Sequence, residues 1–166
     1  HGVASDSTCF SSKAFCVSPE LNMLLKRTRM SMTMPKLIVK STVARRSVIL
    51  ILQEHPTTLM FLAFLNTEPC GVATCFRGFS TFAAKPLINI HDFYVDPSLR
   101  GCGVGRMLLD AIQHEAVSTG CCKLTLEVQQ NNSRARSIYS KFGFAQAVYA
   151  ADENGGGSLY MTKLIS

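Results

Sequence analysis

The sequence predicts an α/β fold, a mixed and mostly antiparallel central sheet with helices on both faces. Three observations carry the prediction. Short apolar runs alternate at a two-residue period, which is strand spacing. Longer segments repeat their apolar residues at helical spacing. The two kinds of segment then follow one another as strand, two helices, three antiparallel strands, helix, strand, helix and two strands, an order that a layered sheet accommodates. The chain of 166 residues is 47% hydrophobic and 17% charged, and that is enough apolar material for one domain over residues 1–166 with a real core.

Residues 3–35 are the least patterned part, read as a strand and a helix. Residues 8–17 make a poor first strand. Ser18-Pro19-Glu20 is a clearer signal, an N-cap followed by proline at the first helical position and an acid in the first turn, and Leu21, Leu24 and Leu25 carry a helix to about Arg29. Met30 to Pro35 is a connection, or the start of a shorter reading frame at Met30, Met32 or Met34. Thr42 to Glu54 suits a helix by its ending before His55-Pro56 and a strand by its run Val48 to Leu52; it is taken as a helix. Thr58 to Leu65 is a strand, residues 66–69 a tight turn, and Gly71 to Phe79 the antiparallel partner.

Leu87 to Val95 is an apolar, β-branched strand that Asp96-Pro97 stops, because proline cannot continue a ladder. Next comes Arg100-Gly101-Cys102-Gly103-Val104-Gly105-Arg106, and Val104, Leu108, Ala111, Ile112 and Ala116 recur behind it at helical spacing. A strand thus feeds a glycine loop that opens a helix. The free N–H groups and the positive dipole end at such a helix start suit a phosphate or pyrophosphate, although many glycine loops only make a turn. Two familiar loops are excluded, since no Gly-Lys-Ser/Thr follows and Arg106 stands where the dinucleotide fingerprint needs its third glycine.

Cys122 to Val128 alternates as the next strand, and Ser133 caps a short helix with Ala135, Ile138, Tyr139 and Phe142, ended by Gly143. Phe144 to Ala150 and Ser158 to Leu164 flank a glycine-rich tip and form a terminal hairpin. At this point the sequence resembles the GNAT superfamily of N-acetyltransferases. The resemblance rests on Arg100, Gly103 and Gly105 in an Arg-x-x-Gly-x-Gly pattern, Leu126-Glu127-Val128, Asn132 with Ala135 and Tyr139, and Gly143-Phe144, in that order. It covers roughly residues 70 to 165.

The resemblance implies an acyl-CoA N-acyltransferase fold with acetyl-CoA as co-substrate; with no Cys-x-x-Cys and no His pair at zinc spacing, no metal is expected. It implies that the strands matching 87–95 and 122–128 splay apart around the pantetheine arm. Backbone of Phe93, Tyr94 and Val95 would bond that arm, and the amides of Arg100, Gly101, Cys102, Gly103, Val104, Gly105 and Arg106 would hold the pyrophosphate. Asn132 matches a residue that contacts the arm, or is a loop-forming Asn. Tyr139 matches the tyrosine that protonates the leaving thiolate, or is a buried aromatic anchoring the short helix. Three residues stand as candidate base: Glu127, in the pattern of ribosomal-protein alanine acetyltransferases, and His91 and Asp92, in a segment like that of polyamine acetyltransferases. In the polyamine enzymes the base is a glutamate where His91 stands. Strict alternation puts His91 and Asp92 on opposite faces of their strand.

The expected activity is acetyl transfer to the primary amine of a small molecule such as a polyamine, an aminoglycoside or an amino-acid-like compound. The alternatives are a protein N-terminus or lysine as acceptor, and a non-catalytic acyl-CoA-binding module. The acceptor pocket is expected from the N-terminal helices and the loop Phe79 to Pro86. A net charge of +6 suits an anionic cofactor; the scattered basic residues, the lack of Trp and the absence of a recognisable motif argue against nucleic acid. Seven cysteines with no Cys-x-x-Cys fit neither a disulfide framework nor a zinc site and read as small core hydrophobes. Apolar runs fall short of the ~18 residues a membrane helix needs, so a cytoplasmic protein is expected; a homodimer is implied only by the resemblance, being usual for that family.

Overall fold

The computed structural model describes residues 23–24, 55–66, 68–147 and 157–165. Strand β1 is Met23–Leu24, β2 is Thr58–Leu65, β3 is Glu68–Ser80 and β4 is Lys85–Val95. A 3-10 turn at Pro97–Leu99 leads to helix α1, Val104–Ser118; β5 (Lys123–Gln129), helix α2 (Ser133–Lys141), β6 (Ala145–Gln146) and β7 (Ser158–Leu164) follow. Among the described residues the seven strands form one sheet in the order β1-β2-β3-β4-β5-β7-β6. The sheet is mixed: β4 and β5, joined through α1, run parallel, and the other neighbours are antiparallel.

Helix α1 buries Val104, Leu108, Leu109, Ala111, Ile112 and Ala116 against sheet residues that include Ala73, Cys75, Ile88, Ile90, Leu124 and Leu126. Each large side chain so buried stabilises the fold by about 1.5–3 kcal/mol relative to leaving it in water. The helix start lies close on the sheet at Gly71, where a Cβ would lie 3.0 Å from Val104 Cγ1 and 3.3 Å from the Tyr94 carbonyl oxygen. An ion pair between Arg77 on β3 and Glu115 ties the other end of α1 to the sheet.

The β3–β4 ladder contains a bulge at the start of the site. Ile90 faces Cys75 and Asp92 faces Thr74, so His91 between them has no partner. One extra residue on one strand shifts the pleat by one position. Strict alternation fails here, and the expectation of opposite faces is corrected: His91 and Asp92 turn to one side, with His91 Nδ1 3.4 Å from Asp92 Oδ2. The core-facing series then resumes at Phe93, which packs against the core cluster.

Two other expectations change. Met23–Leu24 is a strand paired with Leu62 and Ala63 of β2 rather than part of a helix; pairing with an edge backbone overrides a local helical pattern. Asn132, not Ser133, is the N-cap of α2, its side chain accepting from the Ala135 N–H at 3.1 Å. The expected strand at 8–17, the remainder of the helix at 18–29, the connection at 30–35, the helix at 42–54, the end of the strand at 144–150 and the tip at 152–156 lie outside the described residues.

Candidate functional site: a cleft between two parting strands

Strands β4 and β5 pair only where Leu87 to Ile90 meet Lys123 to Leu126. Beyond that point β4 runs on to Val95 and β5 to Gln129 with no ladder between them, and a cleft of about 460 Å³ opens. Residues 90–95 form one wall and 126–129 the other; Arg100, Gly101 and Gly105 line it from the loop before α1, and Asn132, Arg134, Ala135, Ile138 and Tyr139 from α2 and its cap. Along its open half β4 presents backbone N–H and C=O groups to the cleft in place of a neighbouring strand.

At the loop end the local conformation comes from glycine. Gly101 (φ 95°) and Gly103 (φ 91°) are left-handed, and a Cβ at either would meet nothing within 4 Å. They are needed for backbone shape, and the space in front of them is open. Gly103 is the N-cap of α1 and offers no side chain to the helix; the first intrahelical bond runs from the Met107 N–H to the Gly103 carbonyl at 3.0 Å. The amides of Gly103, Val104, Gly105 and Arg106 therefore have no acceptor inside the helix, and the dipole adds partial positive charge there. Arg100 Nε donates to the Val95 carbonyl at 3.1 Å, which pins the loop to the end of β4. Asp96 begins the turn: its carboxylate accepts from the amide and hydroxyl of Ser98, and those bonds hold it below the usual carboxylate range. An open, glycine-shaped, amide-lined end flanked by Arg100 and Arg134 fits a pyrophosphate.

Tyr139 is buried on α2, its ring edge-on to Phe93 (centroids 6.2 Å apart) and to Phe144 (5.8 Å). It anchors α2 to the core and also lines the cleft. Burial pushes its phenol above the usual value, so it is protonated at neutral pH. At the C-terminal end of α2, Arg106 and Lys163 both lie over the Phe142 ring, at 4.8 and 4.2 Å from its centroid. Burial, with Arg106 adding to it, lowers the Lys163 ammonium below its ordinary range.

All four predicted chemical residues, His91, Asp92, Glu127 and Tyr139, line the same cleft, as do Phe93, Tyr94, Val95, Arg100, Gly101, Gly105 and Asn132. Cys102, Gly103, Val104 and Arg106 do not line it. The Val104 side chain is in the core, and Arg106 Nε donates to both carboxylate oxygens of Asp110 at 3.0 and 3.1 Å. Asn132 spends its side-chain oxygen on the α2 cap. Cys70, Cys75 and Cys121 are buried, as expected of core hydrophobes, whereas Cys102 is exposed. The Phe79 to Pro86 segment is not part of the cleft: it joins the end of β3 to the start of β4, about 20 Å from the open half at ~3.3 Å per residue. Sequence reasoning missed Ile138 and Phe76. Ile138 follows Ala135 at i+3 beside Tyr139, a spacing that puts it near the same helix face; Phe76 meets the His91 ring edge-on at 5.5 Å and carried no signal. Among the described residues no cluster of His, Cys, Asp and Glu could hold a metal ion, and no helix is long and apolar enough to cross a membrane.

Residues 30–144 match the Acetyltransferase (GNAT) family. An uncharacterized N-acetyltransferase, YhfO, of Bacillus subtilis is 30% identical over 93 residues, covering 56% of this chain and 62% of that protein. Thialysine N-epsilon-acetyltransferase of Bos taurus is 32% identical over 77 residues, 45% of either chain. The chain thus spans less than two thirds of the length of these relatives. Among solved structures, Arabidopsis thaliana Naa50 in complex with the bisubstrate analogue CoA-Ac-MVNAL superposes with a TM-score of 0.53 at 26% identity, covering 63% of this chain and 71% of that one.

Proposed function

This chain belongs to the GNAT acetyltransferase family, and from that membership we propose that it is an acetyl-CoA-dependent N-acetyltransferase acting on the primary amine of a small molecule, a polyamine, aminoglycoside or amino-acid-like compound. One observation carries the proposal: the cleft between β4 and β5 ends at the glycine-shaped start of α1, where four helix amides have no acceptor inside the helix. A slot bounded by strand backbone and closed by an anion site suits an extended arm ending in a pyrophosphate. The Naa50 neighbour, held with a CoA-containing analogue, supports the same ligand class here.

In this reading the amides from Gly101 to Arg106 hold the pyrophosphate with Arg100 and Arg134 beside them, and backbone from Phe93 to Val95 orients the arm. Acetyl-CoA, when bound, supplies the acetyl group as a thioester and departs as the thiol. Tyr139 keeps its proton at neutral pH and gives it to the departing sulfur. Proton removal from the acceptor falls to the polar side chains His91, Asp92 and Glu127, all of which line the cleft. Holding both substrates in one slot contributes as much as the proton transfers, each of which adds about 10²–10⁴-fold.

The thialysine-acetylating relative supports a small acceptor. The MVNAL peptide of the Naa50 complex favours a second reading, a protein N-terminus. Thiol release from acetyl-CoA, followed with a panel of small amines and short peptides, decides between them. Release with small amines is the expected result, release with peptides alone moves the acceptor class, and release with none overturns acetyl transfer.

A further inference from the structure

We propose that His91 and Asp92 work as a pair, His91 taking the proton from the acceptor ammonium and Asp92 holding the imidazole in position to do so. The inference rests on the acetyl-transfer reading above and assigns the role left open there. Its basis is the bulge. Had β4 alternated regularly, one of these side chains would point away from the other; the unpaired residue at 91 brings Nδ1 to 3.4 Å from Asp92 Oδ2. That distance is at the long end for a hydrogen bond, as is common for catalytic contacts before substrate closes on them.

The contact has a chemical consequence. A carboxylate at Nδ1 favours the tautomer with its proton on Nδ1, which leaves the lone pair on Nε2 as the basic site. The ring is further restrained by Phe76, edge-on at 5.5 Å and 90°, and Phe76 in turn meets His55 edge-on at 6.3 Å. With side-chain exposures of 64% for His91 and 58% for Asp92, both are reachable from the cleft they line. The competing group is Glu127 across the cleft on β5, which has no ion-pair or hydrogen-bond partner among the described residues. Asp92 and Phe76 hold the His91 ring, whereas no side chain among the described residues holds the Glu127 carboxylate in one orientation.

The proton step is balanced within the pair and the acceptor. One N–H bond of the ammonium breaks with its electron pair remaining on nitrogen, a new N–H bond forms at Nε2, and the neutral amine is free to attack. His91 then releases its proton to solvent before the next turnover. Asp92 stays ionised throughout, so it is a positioning residue rather than a catalytic one.

The test uses the full chain and two acceptors of similar size, one strongly basic and one that is already neutral at pH 7. His91→Ala should lower turnover of the strongly basic amine about 10²–10⁴-fold, spare the weakly basic one, and recover partly with added imidazole. Asp92→Asn should lower kcat more than KM, and in ¹⁵N spectra of the ligand-free protein it should move the His91 signals away from the Nδ1–H tautomer. Where the alanine variant loses its fold, His91→Gln repeats the comparison. An active wild type with His91→Ala equally active on the basic amine, or a larger loss in Glu127→Gln than in His91→Ala, overturns the pair alone. So does an Nε2–H tautomer in the wild-type spectrum. A wild-type chain that releases no thiol with any amine overturns the acetyl-transfer reading and the pair's role with it.

Discussion

Over Leu87–Ile90 and Lys123–Leu126, strands β4 and β5 are joined by a parallel ladder, and Ile88 and Leu124 are fully buried there. A few residues farther along the same two strands the ladder stops, and the side chains become His91, Asp92, Glu127 and Gln129, all exposed. The closed half joins the two strands by sheet bonds and excludes water with apolar side chains; the open half keeps its ladders to β3 and β7 but has none between β4 and β5. In the proposed reading, stability and binding are thus divided lengthwise along one pair of strands. The open half can leave backbone groups for a ligand because the closed half, under α1, fixes the strands' separation and direction.

That division is open to direct attack. The largest expected effect is at the open end: Tyr139→Phe keeps the ring packed on Phe93 and Phe144 and removes only the hydroxyl. Turnover should fall at least about 10²-fold, with affinity for CoA and melting temperature almost unchanged. Retention of more than half of wild-type turnover, measured where chemistry limits the rate, would make Tyr139 a core anchor alone. At the closed end, Leu124→Ala should cost about 2–5 kcal/mol of stability, read by denaturant unfolding, while turnover per folded molecule stays near wild type. A loss of turnover matching the loss of stability would mean that the two halves are not separable.

Smaller effects refine the picture at the loop and at the cap. CoA at 100 times its dissociation constant should stabilise the fold by about 2.7 kcal/mol, and Gly105→Asp should abolish that shift. Position 105 is the better site for the charge, because a Cβ there meets Phe93 and Val95 at 3.6 Å or more, whereas Gly103 has φ 91° and would add backbone strain. A full CoA-induced shift in Gly105→Asp would remove the ligand from the start of α1. The smallest effect is Asn132→Ala, which should cost about 1 kcal/mol by loss of the cap. Asn132→Ser restores a capping oxygen; if it recovers stability but not the KM for acetyl-CoA, Asn132 also contacts the ligand.

Strands β2 to β5 and both helices were legible in the sequence because burial on one face imposes a period that composition cannot hide. The glycine loop was legible for a related reason, since Gly101 and Gly103 occupy backbone conformations that few other residues tolerate. The bulge was less so, although a trace was present: the inward residues of β4 are Ile88, Ile90, Phe93 and Val95, spaced two, three and two apart. Asn131, Asn132 and Ser133 are all competent caps, and only the path of the chain selects Asn132. The loop Phe79 to Pro86, expected with the N-terminal helices to form the acceptor pocket, does not line the cleft, because a hairpin loop next to a site-bearing strand is near the site in sequence while lying at the strand's opposite end. The contact of Phe76 with His91 joins two strands, and no local pattern encodes it.

Gly71 carries a consequence for how this molecule tolerates change. It does not itself line the cleft, yet it bears on how near the start of α1 settles onto β3, where a Cβ would lie 3.0 Å from Val104 Cγ1. A side chain there would lift the helix at the end whose amides are proposed to hold the pyrophosphate. In a survey of variants Gly71 would therefore score with the residues that bind the ligand, although its own contacts are all with hydrocarbon and a carbonyl. An engineer seeking a wider or narrower slot would find the adjustment beneath the helix rather than inside the slot.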